Sequence, residues 1–167
     1  MAKGKFLSVL LILAGVAIIS LPSCDPSRKW EKEEEQDIQN YVASHTSVNY
    51  TKKPSGLYYA DDLVGTGRHA NPHDTAYVLC SGFYISGTKF YTNIKSSAPH
   101  DTLIFPISEG KMITGFDEAI TYMQAGGRSM IIVPSYLGYG ESGYYMAAYT
   151  PLLFTITLCR VAPGPAK

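Results

Sequence analysis

His69 and His73 stand four residues apart with Asp74 directly following, a combination that invites a metal ion. The intervening Asn71-Pro72 opposes the helix that would bring both imidazoles to one face, and the segment supplies no further ligands for a closed site. The two histidines are therefore expected on a surface loop, and no metal or cofactor is implied. Cys80 and Cys159 fall on different predicted strands. A disulfide between them stays open, though their spacing gives it no support, and no local signature pairs either thiol with a histidine for nucleophilic catalysis. Gly65-Thr66-Gly67 and Gly126-Gly127 lack the strand-turn-helix setting and the lysine of a phosphate-cradling loop. What remains is aromatic. The thirteen tyrosines could furnish sheet faces and pocket walls alike, and the stretch from Ile113 to Tyr139 ends in a loop that presents Tyr136 and Tyr139 at a sheet edge.

That stretch is also the organising element. Phe116, Ala119, Ile120 and Met123 recur at i, i+3, i+4 and i+7, which predicts one short helix with a single apolar stripe, Thr114 as its N-cap and Gly126 as its stop. Ser129 to Val133 is a β-rich run ended by Pro134, so the stripe is expected to lie on the face of a sheet containing this strand. Leu57 to Ala60, Thr75 to Ile85, Thr88 to Thr92, Thr102 to Phe105 and Leu152 to Val161 supply further strands, with Ser86-Gly87 as a tight turn between the second and third of these. Five or six strands around one short helix predict an α+β domain with a mostly antiparallel sheet.

The N-terminal part reads differently. Lys3 and Lys5 precede the apolar run Phe6 to Leu21, too short for comfortable spanning, which reads as an export signal over residues 1–23. Leu21-Pro22-Ser23-Cys24 resembles a bacterial lipobox, the alternatives being an ordinary signal peptide cleaved nearby or an uncleaved membrane anchor. In the lipobox reading Cys24 would be the lipid-modified first residue of the mature chain, holding it on a membrane of the bacterial cell envelope, here taken as the outer membrane. Residues 24–55 read as a tether and an N-terminal helix from Arg28 to about His45. Ile38, Tyr41 and Val42 give this helix a weak apolar face that packs lightly on a domain spanning residues 56–162. The run Glu31-Lys32-Glu33-Glu34-Glu35 reads as a solvated helix face, with a partner-binding role left open. Fourteen Lys and Arg balance fourteen Asp and Glu, so charge points to no nucleic-acid partner.

An ordered series of short motifs carries a family resemblance: Ser55-Gly56-Leu57, Cys80-Ser81-Gly82, Gly87-Thr88-Lys89-Phe90, Ile113-Thr114-Gly115-Phe116-Asp117-Glu118-Ala119, Val133-Pro134, Tyr139-Gly140 and Leu152-Leu153-Phe154. From about Gly56 to Val161 the chain resembles the FKBP-type peptidyl-prolyl cis-trans isomerases. The resemblance implies an antiparallel half-barrel sheet wrapped on the central helix, with a shallow apolar pocket between them that receives a proline ring. Phe116 would be its floor, where the family usually has Trp; Phe90 and Phe154 its walls; Met112 and Ile113 its rim, with a backbone N-H aimed at the peptide; Tyr139 its hydroxyl donor. Tyr139, Phe116 and Ile113 are thus the implied catalytic set. Tyr91, Cys80 and Leu103 stand where the family has an acidic residue, a Tyr and another aromatic, and Met146 or Tyr145 would cover the pocket. The implied activity is prolyl isomerisation of exported, proline-containing polypeptides. The alternative is a weakly active or inactive module that binds a protein partner in the envelope.

Overall fold

A computed structural model describes residues 26–141 and 146–164. The signal segment, Cys24 and Tyr145 lie outside the described residues. The elements run α1 (Pro26–Ser44), β1 (Thr51–Lys52), β2 (Tyr58–Leu63), β3 (Thr75–Tyr84), β4 (Lys89–Thr92), β5 (Leu103–Pro106), α2 (Thr114–Thr121), β6 (Arg128–Val133), a 3-10 turn (Ser135–Leu137) and β7 (Leu152–Ala162). The strands form one seven-stranded sheet in the order β1-β2-β6-β7-β3-β4, with β5 also paired to β3, and every pairing is antiparallel. The α+β architecture expected from the sequence is the one observed. The additional strand is β1, whose Thr51 and Lys52 pair with Tyr59 and Tyr58 in a stretch that reads as a polar link.

The sheet is covered on both faces, and strand alternation explains how. Tyr59, Ile131, Val133, Leu152, Phe154 and Ile156 point to one face and join Phe116, Ala119, Ile120 and Met123 of α2 in the main core. Tyr58, Ile132 and Leu153 point to the other face, where Ile38 of α1 closes over them. Ile131 to Val133 of β6 therefore read as an unbroken apolar run because this end of the strand is covered on both faces, whereas Arg128 at its start is exposed. The helix packs through a narrow stripe, as expected: Ile38 is fully buried and most of Glu34 with it, while Tyr41 and Val42 are only partly covered. The same stripe corrects the reading of the acidic run as a wholly solvated face. Glu34 turns inward to Ser135, and Glu35 accepts hydrogen bonds from Lys52 at 2.6 Å and the Tyr58 hydroxyl at 2.9 Å.

Two boundaries of α2 differ from expectation. Ile113, in extended conformation, occupies the N-cap without a side-chain cap, and Thr114 is the first helical residue. The Ile113 carbonyl instead accepts the N-H groups of Phe116 and Asp117, each at 3.0 Å. The helix stops at Tyr122, ahead of Gly126. Gly126 adopts a φ of +86° in the turn into β6 and donates its N-H to Leu158 at 2.7 Å.

His73 lies 3.4 Å from Glu109, whereas Asp74 is buried and accepts from the Arg68 guanidinium and from the N-H groups of Asn71 and Gly164. Burial works against the Asp74 charge, but these donors hold its carboxyl below the usual carboxylate range. It is a structural anchor for the loop before β3.

Gly115 sets how closely α2 approaches the sheet. A Cβ there would sit 2.6 Å from the Val133 side chain and 3.2 Å from Leu137. Gly115→Ala is expected to push the helix off β6 and cost about 1–3 kcal/mol of stability, the usual range for overpacking, read as a lower urea midpoint at unchanged m-value. An unchanged midpoint would show that the helix can shift freely.

Candidate active site

The floor of the site is built from aromatic rings in successive edge contacts. Phe116, in the first turn of α2 and 1% exposed, meets Phe154 of β7 at 5.3 Å and 82°. Phe154 meets Phe90 of β4 at 5.7 Å and 87°, and Phe105 backs Phe116 at 6.1 Å. Edge-to-face pairs of this kind add to simple burial. They fit together across three strands because Gly82 of β3, paired to both Phe154 and Tyr91, has no side chain. A Cβ there would come within 2.6 Å of the Phe90 ring and 2.9 Å of Phe154.

Above these rings is a cavity of about 560 Å³ lined by Cys80, Phe90, Tyr91, Leu103, Met112, Ile113, Phe116, Tyr139, Met146 and Phe154, together with Gly110 and Lys111. All ten site residues singled out in the sequence are brought together. Gly110 and Lys111 join them, and among the described residues Lys111 carries the one charge in the lining.

Each wall is positioned by a buried polar side chain at its base. Where the chain leaves β4, the Asn93 side chain continues the ladder. Its Oδ1 accepts the Cys80 N-H at 2.7 Å and its Nδ2 donates to the Val78 carbonyl at 2.9 Å, which fixes the wall carrying Cys80 and Tyr91. Below the rim of residues 108–113, Asp117 of α2 accepts the Ser108 N-H at 2.8 Å. Among the described residues the Ile113 N-H has no protein acceptor. On the third side Tyr139, 38% exposed, lines the cavity, whereas Tyr136 donates its hydroxyl to the Ser55 carbonyl at 3.1 Å and contributes nothing to the lining. Only one of the two loop tyrosines thus reaches the site.

The chemistry open to this arrangement is that of a mostly apolar receptacle, open on one side, with hydrogen-bond donors at its rim. Cys80 is buried, and burial pushes its thiol up to about 11, so at neutral pH it is a small apolar wall rather than a nucleophile. The Tyr91 phenol is raised as well, by burial first and then by its neighbours Cys80 and Asp101.

A family model described as FKBP-type peptidyl-prolyl cis-trans isomerase matches residues 66–159, more than half of the chain. The chain belongs to the FKBP-type peptidyl-prolyl cis-trans isomerase family. It is 28% identical over 131 residues to the FKBP-type peptidyl-prolyl cis-trans isomerase FkpA of Aeromonas hydrophila, a match covering 77% of this chain and 47% of that protein. It is 30% identical over 141 residues to the outer membrane protein MIP of Legionella longbeachae, covering 83% of this chain and 58% of that one. The chain therefore spans about half the length of these curated relatives. Its fold matches the crystal structure of a peptidyl-prolyl cis-trans isomerase from Pseudomonas syringae pv. tomato with a TM-score of 0.68, at 21% identity, covering 83% of this chain and 97% of that one.

The FKBP-like wall leads to a pH prediction. In a chain carrying Cys24→Ser and Cys159→Ser, the remaining Cys80 is expected to react with iodoacetamide about a thousandfold more slowly at pH 8 than its fully ionised thiolate, because only about one thiol in a thousand is ionised three units below its pKa. Alkylation should accelerate as pH rises toward 11 or on unfolding. Rapid labelling of the folded chain at pH 8, followed by mass spectrometry, would contradict a buried, protonated wall.

Proposed function

We propose that the chain is a peptidyl-prolyl cis-trans isomerase and folding helper that takes the proline ring of a polypeptide into the Phe116 cavity. The observation that carries this reading is the convergence of an aromatic floor, Phe116 flanked by Phe90 and Phe154, with Tyr139 and the Ile113 N-H at its rim. The reaction needs no nucleophile. An X-Pro amide is held planar by resonance with a barrier of about 18–20 kcal/mol, and left alone it exchanges over tens to hundreds of seconds. Moving that amide into an apolar enclosure removes the water that favours the polar planar form. Donors placed for the twisted amide then bind it better than the ground state. A ten-thousandfold acceleration requires about 5.4 kcal/mol of such preference, within reach of two hydrogen bonds strengthened by dry surroundings plus desolvation.

The second reading, a noncatalytic module that binds a protein partner in the same groove, is favoured by Cys80, Tyr91 and Leu103 at positions where the family pattern is polar or aromatic. A prolyl-peptide assay separates the two. Tyr139→Phe is expected to lower kcat/KM about 5- to 30-fold, the loss of one hydrogen bond of about 1–2 kcal/mol, with the circular dichroism spectrum unchanged. Wild-type turnover equal to buffer, with the fold intact, would end the enzyme reading and leave the binding module.

We further infer that Cys24 is lipidated and that the chain acts in a bacterial cell envelope on exported clients. The lipobox-like Leu21 to Cys24 supports this, as does similarity to a Legionella protein named for the outer membrane. Since α1 begins at Pro26, the domain would stand close to the membrane surface. The chain is expected to partition into the detergent phase of Triton X-114 and to incorporate radiolabelled palmitate, and Cys24→Ser should abolish both. Labelling that survives this substitution would place the anchor elsewhere.

A further inference from the structure

The N-terminal helix touches, at two points, the segments that flank the cavity-lining Tyr139. Trp30, Glu34 and Ile38 follow one another at four-residue spacing and share one helix face. Ile38 closes the core on the second face of the sheet. Glu34, buried beside it, accepts the Ser135 N-H on Oε1 at 2.5 Å and the Ser135 hydroxyl on Oε2 at 2.6 Å. Two bonds from one carboxylate to one residue fix both its position and its orientation. The Ser135 carbonyl then accepts the N-H groups of Gly138 and Gly140, each at 2.8 Å, the two residues that bracket Tyr139. One helical turn before Glu34, Trp30 stacks on Tyr149 with ring centroids 6.2 Å apart and planes 16° apart, and the Tyr149 N-H donates to the Gly140 carbonyl at 3.2 Å. Gly140 is thus held from both sides by groups that α1 contacts.

A carboxylate is a costly way to fill a buried position unless its bonds are fully used. Here an apolar residue would have served the packing of α1 on the sheet, and what the carboxylate adds is placement of the segment after β6. We propose that Glu34 is a positioning residue for Tyr139, which makes α1 part of the site rather than an appendage to it. The proposal rests on the reading of Tyr139 as the donor to bound prolyl peptide. Through Ser135, Gly138 and Gly140, the Glu34 carboxylate sets where the phenol stands at the cavity rim.

The test uses the full chain in detergent. Glu34→Ala is expected to lower kcat about tenfold with KM within about twofold, the pattern of an interaction lost chiefly in the transition state. Glu34→Gln, which keeps an acceptor for the Ser135 N-H and offers an amide to its hydroxyl, should recover most of that loss. Tyr139→Phe introduced into Glu34→Ala should cost little more, since both changes act on one phenol. Glu33→Ala, on the exposed face, should leave the rate unchanged.

Amide hydrogen exchange gives a readout independent of turnover. Gly138 and Gly140 should exchange about tenfold faster in Glu34→Ala while Ile131 in the core keeps its protection. If Glu34→Ala fails to fold, Ser135→Ala, which removes only the hydroxyl, carries the same comparisons with a smaller effect. A Tyr139→Phe penalty of equal size in both backgrounds, or unchanged exchange at Gly138 and Gly140, would overturn the proposal. A wild-type chain without turnover would instead defeat the isomerase reading, and the exchange result alone would then decide whether Glu34 holds this segment.

Discussion

The edge-to-face contact of Phe116 with Phe154 is the interaction on which the rest of the structure depends. It joins the first turn of α2 to the start of β7, and so joins the helix to the strand that bridges the two halves of the sheet. Around it Tyr84, Phe90 and Phe105 extend a chain of rings with centroid separations of 5.1 to 6.1 Å. Two glycines permit this closeness, Gly115 under the helix and Gly82 under the rings, and each occupies space that a Cβ would share with apolar neighbours. Burial of the aromatic and aliphatic side chains is non-directional and could be satisfied by several arrangements. The missing side chains at these two positions narrow the choice to one in which the rings meet at their edges.

Close packing resists a hollow of this size, so something other than apolar contact must keep the walls apart. Three buried polar side chains do so. Asn93, just past the end of β4, and Asp117 and Glu34, within α2 and α1, each accept a backbone N-H from another segment, those of Cys80, Ser108 and Ser135. Among the described residues no buried side-chain nitrogen or oxygen lacks a partner. The frame of the site is therefore polar and satisfied, while its lining is apolar apart from Lys111 and the hydroxyls of Tyr91 and Tyr139. Separating the two tasks keeps the lining mostly apolar without leaving the loops unpinned.

The sequence made the apolar part of this legible and the polar frame much less so. Phe116, Ala119, Ile120 and Met123 announce their helix by periodicity, and Ser129 to Val133 announce their strand by composition, because burial leaves a repeating mark along the chain. The motif order then gathered Phe90, Cys80, Leu103 and Phe154 from distant strands. Glu34 is not legible in this way, because an inward carboxylate within Glu31 to Glu35 looks the same in sequence as its solvated neighbours. Only the Ser135 it meets, about a hundred residues later, distinguishes it. Thr114 was given the capping role by residue type, although Ile113 occupies the cap and Asp117 holds the preceding loop. Strand β1 was missed because two residues carry no alternation. Each error concerns a contact fixed by tertiary position rather than by local pattern.

The lining also bears on how the chemistry would be distributed. A site that twisted the amide chiefly through charge would need ionised groups facing the peptide. Here Cys80 stays protonated because it is buried, and the Tyr91 phenol is raised in the same direction. Leu103 offers no polar atom at all. The remaining means are removal of water by Phe90, Phe116 and Phe154, and the placement of very few donors. In so apolar a site each donor would interact with a bound amide more strongly than in water, and would be correspondingly sensitive to position. That sensitivity gives a physical reason for the span of structure devoted to one phenol: a helix on the far face of the sheet, a buried carboxylate, a serine and two glycines all converge on the few residues that carry Tyr139.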